Sequence, residues 1–267
     1  MDLNGKSILI TGASSGIGCE ILEKLADGYD CKIVAVARSF DGMTNIPDNG
    51  KVHFLSYDLS VKENIDKVIE ESIKALDSID CIIACAGLGY FERFDGKDYN
   101  HIEYIYDVNV VAPLYMLQLL LEKTDGKISF TVIASALGKM GLAGYSLYCS
   151  SKFALDGFAR AYKYEEPDRL HFMTVYPIGV DDTRFYIKNS DDMPLPRPLQ
   201  KIEKVAASVI KGIEKSKRYV YTSKAFMFAY VLNRVFPFLF PIYQNLYKGK
   251  FYAWLNKKGK DKNPANN

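Results

Sequence analysis

Five residues with strand character, Ser7-Ile8-Leu9-Ile10-Thr11, run directly into Gly12-Ala13-Ser14-Ser15-Gly16-Ile17-Gly18, and Ile17, Ile21, Leu22 and Leu25 then recur at helical spacing. A short apolar run of this kind reads as a buried parallel strand. Strand, glycine turn and helix in direct succession limit the fold to units in which the helix packs back on its own strand. Glycines let the backbone approach a pyrophosphate, and the helix start offers N–H groups at the positive end of its dipole. The spacing is Gly-x-x-x-Gly-x-Gly and not the commoner Gly-x-Gly-x-x-Gly. A tight turn without a ligand is the other reading, and the turn alone leaves both open.

The rest of the chain repeats the alternation. Further strands are expected at Lys32–Ala37, Val52–Ser56, Cys81–Ala84, 127–134, 171–176 and 219–222, and helices at Lys62–Leu76, 98–111 continuing through 113–123, 147–164 and 201–215. The helix over 147–164 is expected to bury Phe153, Ala154 and Phe158. Strands alternating with helices predict an α/β, doubly wound single domain over residues 1–223, with a mostly parallel seven-stranded sheet and helices on both faces. Right-handed crossovers then place every strand exit on one edge. A chain of 267 residues with 48% hydrophobic and 25% charged content is long and apolar enough for such a core. The net charge of +2 gives no case for a nucleic-acid partner. The five cysteines form no CxxC pair, which points to reduced thiols, no metal and a cytoplasmic location. The N-terminus shows no secretory signal pattern.

Several strand exits carry chemistry. Arg38-Ser39 ends the second strand, where an acidic residue would bind the ribose 2′-hydroxyl of NAD. An arginine there suits the 2′-phosphate of NADP through charge-assisted hydrogen bonds, with Ser14 adding a hydroxyl; a solvated arginine is the plainer alternative. Asp58-Leu59 follows the third strand, where the carboxylate suits an adenine amino group or caps the next helix. Asn109 lies inside an apolar helix, where its amide either bonds nearby backbone or distorts the helix to hold a water. Ser135 ends the fifth strand thirteen residues before Tyr148, across a loop holding Gly138, Gly141 and Gly144. Tyr148 and Lys152 stand one helical turn apart. A phenol titrates near pH 10, and a neighbouring ammonium favours the phenolate, so the pair can move a proton.

Taken in order, Thr11 to Gly18, Asp58-Leu59, Ala86-Gly87, Asn109, Ser135, Tyr148-x-x-x-Lys152 and Pro177-x-Gly179 resemble the short-chain dehydrogenase/reductase family over roughly residues 6–222. The resemblance implies a Rossmann fold and hydride transfer between NADP(H) and a carbonyl or alcohol. It implies that Tyr148 exchanges the proton and that Lys152 lowers the tyrosine pKa and holds the nicotinamide ribose. Ser135 would bond the substrate oxygen, and Asn109 would hold a relay water. It places Gly12, Ser14, Ser15, Gly16, Ile17, Gly18, Arg38, Ser39, Asp58, Leu59, Ala86, Gly87, Pro177, Gly179, Val180 and Thr183 along the cofactor. A small-molecule substrate and a homodimer or homotetramer are implied as well. Cys85 stands where the family usually has an asparagine that ties strands together, which puts local sheet bonding in question. A dinucleotide-binding redox sensor or scaffold without turnover is the competing reading; it need not retain Asn109, Ser135, Tyr148 and Lys152 together.

Residues 224–267 differ in character. Aromatic residues from Phe226 to Trp254 are dense, Pro237 and Pro241 are expected to break any long helix, and Asn233 and Arg234 interrupt the apolar run. The segment is expected to be a helical lid, a dimer contact or a peripheral membrane-interface element with lysines at the headgroups, and it points to a lipophilic substrate.

Overall fold

The computed structural model describes residues 1–41, 43, 50–181 and 193–261, the side chains of 258–261 excepted. Seven parallel strands, β1 (Ser7–Thr11), β2 (Lys32–Ala37), β3 (Val52–Ser56), β4 (Cys81–Ala84), β5 (Ile128–Ile133), β6 (Leu170–Tyr176) and β7 (Tyr219–Tyr221), lie in the order β3-β2-β1-β4-β5-β6-β7. The expected strands are all present, with shifts of at most one residue at their ends.

The helices are α1 (Gly16–Gly28), α2 (Lys62–Leu76), α3 (Tyr99–Tyr106), α4 (Ala112–Lys123), α5 (Ser146–Tyr162) and α6 (Ile202–Glu214), followed by α7 (Lys224–Val235) and α8 (Leu239–Asp261). Side chains alternate across each strand, so neighbouring residues serve opposite layers. Leu9, Val34 and Val36 pack against α2 and α4 through Ile65, Val68, Met116 and Leu120. Ile8, Ile10, Ile33 and Ala35 pack against α1 and α6 through Leu22, Leu25, Val209 and Ile213. Both faces are covered, as purely parallel sheets require.

The strand order reverses between β1 and β4, and their C-terminal ends open a crevice there. Gly12 has φ +67°, and a Cβ on it would lie 2.7 Å from the Cα and N of Ala86. A Cβ on Gly18 would lie 2.2 Å from the carbonyl oxygen of Gly12, so Gly18 serves the close fit of α1 on its strand. The doubt raised by Cys85 is resolved: β4 keeps its ladder to β1 and β5, and the Ala86 N–H donates to Thr11 Oγ1 at 3.1 Å.

Two expectations are corrected. Phe153 is 43% exposed, and Ala154 and Phe158 are only half-buried. The inward face of α5 is Tyr148, Ser151, Lys152, Leu155, Asp156 and Ala159, so the Tyr148–Lys152 pair itself faces the interior. Pro237 does break the C-terminal segment, but Pro241 sits in the first turn of α8, where its missing N–H costs nothing. The two C-terminal helices meet at 118°, and Asn233 Oδ1 accepts the Phe240 N–H at 2.9 Å across the bend. The far half of α8 is anchored: Tyr247, Phe251 and Trp254 are buried against Phe91 and Tyr145.

Candidate active site

The strand exits converge on one cavity of about 680 Å³. The glycine turn supplies Gly12, Ser14, Ser15, Gly16 and Ile17 to its wall. Ser15, the residue preceding α1, makes no side-chain cap, so the N–H groups of that first turn are not satisfied by it. Arg38, Asp58, Leu59, Ala86 and Gly87 continue the lining, and Pro177, Gly179 and Val180 close it from the β6 exit.

Not every expected residue reaches the cavity. The Ser39 hydroxyl turns back on Asp41, donating to its carboxylate at 2.6 Å and accepting its N–H at 3.0 Å. Gly18 packs under the turn, and Thr183 lies outside the described residues. Asp58 does local work as well, since its Oδ1 accepts the Ser60 N–H at 2.9 Å. A residue the sequence did not single out stands beside it. Tyr104 of α3 lines the cavity, and its hydroxyl accepts from Arg38 Nη1 at 3.0 Å and lies 3.5 Å from Asp58 Oδ2. The Arg38–Tyr104 contact spans 66 residues of sequence, and no local pattern could have announced it.

The end of the cavity that holds the expected serine, tyrosine and lysine is built on β5 and α5. Ser135 caps a single 3-10 turn, Ala136–Gly138, with its Oγ accepting the Leu137 N–H at 3.1 Å. That bond uses an oxygen lone pair and leaves the hydroxyl proton to donate elsewhere. A Cβ on Gly138 would lie 2.6 Å from the Lys152 carbonyl oxygen, so this glycine lets the loop press Ser135 towards α5. Tyr148 and Lys152 both line the cavity and are nearly fully buried. Lys152 Nζ donates to the Ile133 carbonyl at 2.9 Å and lies 5.7 Å from the centre of the Tyr148 ring. Burial pulls the Lys152 ammonium down from an ordinary 10.5 to about 8. The same burial pushes the neighbouring Cys85 thiol up to about 12, which keeps it protonated and inert.

Asn109 sits behind this end, in a π-helical turn, Asp107–Val111, between α3 and α4. Of the two outcomes expected for it, bonding to nearby backbone is found, and the helix is distorted at the same place. Its amide bonds the Leu88 N–H and carbonyl, each at 2.9 Å, and it donates to Ser151 Oγ at 3.0 Å. Ser151 in turn donates to the Tyr148 carbonyl at 2.8 Å. Both amide protons are spent, and the side chain braces α5 against the β4 exit. One turn further along the same inward face of α5, buried Asp156 accepts from Lys139, Arg160 and the Tyr176 hydroxyl, and Arg160 reaches Tyr230 of α7 at 2.6 Å. Nothing in the sequence pointed to that cluster. The remaining wall comes from the C-terminal helices, through Phe226, Phe228, Ala229, Leu232, Phe240 and Tyr243.

Residues 6–194 match the short chain dehydrogenase family model. The chain belongs to the short-chain dehydrogenase family. As such it is an oxidoreductase acting on hydroxyl and carbonyl groups. This short-chain dehydrogenase is 26% identical to a 3-ketodihydrosphingosine reductase of Dictyostelium discoideum, over 91% of this chain and 83% of that protein. It is 29% identical to the 3-ketodihydrosphingosine reductase of Bos taurus, over 78% and 68% of the two chains. Among solved structures, a short chain dehydrogenase from Burkholderia cenocepacia in complex with NADP shares the fold at a TM-score of 0.70 and 21% identity, with 85% and 92% coverage.

Proposed function

We propose that this dehydrogenase reduces the ketone of a long-chain lipid with NADPH, with 3-ketodihydrosphingosine as the substrate type to test. The single observation that supports this most is the continuity of the cavity. One space runs from the glycine turn and Arg38, past Ser135, Tyr148 and Lys152, to an aromatic wall built by α7 and α8. A dinucleotide and an apolar chain would meet there at the reacting residues. The names of the two relatives supply the keto-lipid.

The residues present fit the cofactor. The uncapped start of α1 and the hydroxyls of Ser14 and Ser15 suit a pyrophosphate, and Arg38 suits a 2′-phosphate. When bound, NADPH supplies the hydride, and the protein supplies position and a proton. Ser135 and Tyr148 would donate to the ketone oxygen, stabilising the alkoxide-like charge as it develops. Tyr148 would then pass its proton to that oxygen. Lys152 in its charged form would favour the phenolate left behind. With its amide engaged, Asn109 acts in this reading through the helix it braces, and a relay water would sit on a main-chain carbonyl freed by the π turn.

The test is NADPH oxidation with 3-ketodihydrosphingosine in mixed micelles, beside short and bulky ketones and with NADH in parallel. Preference for the keto-lipid and NADPH is expected. Equal use of NADH overturns the role of Arg38, and indifference to chain length overturns the lipid assignment. Activity that survives Tyr148→Phe removes the tyrosine from the chemistry.

A further inference from the structure

The α7–α8 segment carries a surface that the fold does not use. None of the twelve residues of α7 is buried, although most are apolar. Its outward stripe is Phe228, Val231 and Val235, at helical spacing, and Phe238, Ile242 and Leu246 continue it around the bend into α8. Phe228 is 67%, Val235 69% and Leu246 70% exposed. Contiguous exposed apolar side chains of this kind mark a surface meant for a partner. The charge around them is one-sided. Between Lys224 and Lys260 there are seven basic residues and no acidic one, while the whole chain carries only +2, so the remainder carries −5. Arg234, Lys248 and Lys250 are exposed along the same two helices.

We propose that this elbow is a membrane-docking surface: it lies in the headgroup boundary of an anionic bilayer, and the active-site cavity opens onto that bilayer. Apolar side chains flanked by lysines and arginines match such a boundary on both counts. A second copy of the chain is a poorer occupant, because it would set like charges against like. The two helices meet at 118°, and α8 is tied into the domain by the burial of Tyr247, Phe251 and Trp254, which favours an elbow lying on the membrane over one crossing it. It is held rigidly, by Asn233 across the bend and by Tyr247, Phe251 and Trp254 in the core. Phe228 belongs to the surface and to the cavity lining at once, which puts the cavity mouth at the docked face. This entry route rests on the lipid reading above, whereas the docking itself does not. A substrate arriving this way is an amphiphile whose ketone lies close to its polar end, with the chain trailing back into the bilayer.

The test uses the full chain and sedimentation with vesicles of phosphatidylcholine alone or with about a third phosphatidylglycerol. The wild type is expected to bind the mixed vesicles at least tenfold more tightly. Val235→Asp with Phe238→Asp, neither of which lines the cavity, should weaken binding at least tenfold. That variant should keep reduction of a soluble ketone and lose reduction of a vesicle-borne keto-lipid. Lys248→Glu with Lys250→Glu should weaken binding to the anionic vesicles alone. Failure of the wild type to sediment with either vesicle overturns the docking, as does a dimer in solution that the Val235→Asp, Phe238→Asp variant dissociates. Firm vesicle binding without turnover of any keto-lipid upholds the docking and overturns the lipid reading and its entry route.

Discussion

Lys152 shows what burying one charged group costs a fold. Its folded pKa, about 8, lies below the ordinary 10.5, so the unfolded chain holds the extra proton between those values. The penalty for burying the ammonium is full below pH 8 and lifts as pH rises towards 10.5. Lys152→Met should therefore abolish turnover while stabilising the protein by about 2 kcal/mol at neutral pH, after allowing for the lost bond to Ile133. Urea unfolding at pH 7 and pH 10 checks this, and the gain should shrink at the higher pH. Tyr148→Phe should lower kcat about 10²–10⁴-fold with NADPH affinity retained, read by turnover and by fluorescence titration. Arg38→Ala should raise the KM for NADPH about 10–100-fold and leave that for NADH unchanged. These residues were legible because each sits at a strand exit or on a helix repeat. Tyr104 was not, because it meets Arg38 only through the folding of α3 over the sheet edge.

At the scale of elements, periodicity located every strand to within one residue and α2, α5 and α6 to within two, yet it misjudged which way α5 faces. Aromatic residues invite assignment to the core, but Phe153 points outward because the polar Tyr148, Lys152 and Asp156 occupy the inner face. Burying polar groups requires partners, and those partners lie on other elements: Ile133 for Lys152, and Lys139 and Tyr176 for Asp156. Asp156→Asn leaves the buried Lys139 without its counter-charge, and should destabilise the fold by about 3 kcal/mol in denaturant titration. The π turn at Asn109 was half-legible. A polar amide in an apolar helix announced a distortion, but its bonds to Leu88 and Ser151 depend on a loop and a helix far along the chain.

For the molecule as a whole, strand alternation was enough to give the sheet, its direction and the edge on which the site lies. It could not give the last wall of the cavity, because the C-terminal helices carry no motif and their placement depends on packing against residues more than a hundred positions earlier. Their order of synthesis then matters. A ribosome releases the whole sheet, the cofactor turn and the Tyr148–Lys152 helix before Tyr243, Tyr247 and Trp254 have emerged. Until they do, the nascent chain holds a nucleotide cradle with an open side, and the aromatic core around Phe91 and Tyr145 is missing its outer layer. Closure of the cavity thereby waits on the emergence of α7 and α8.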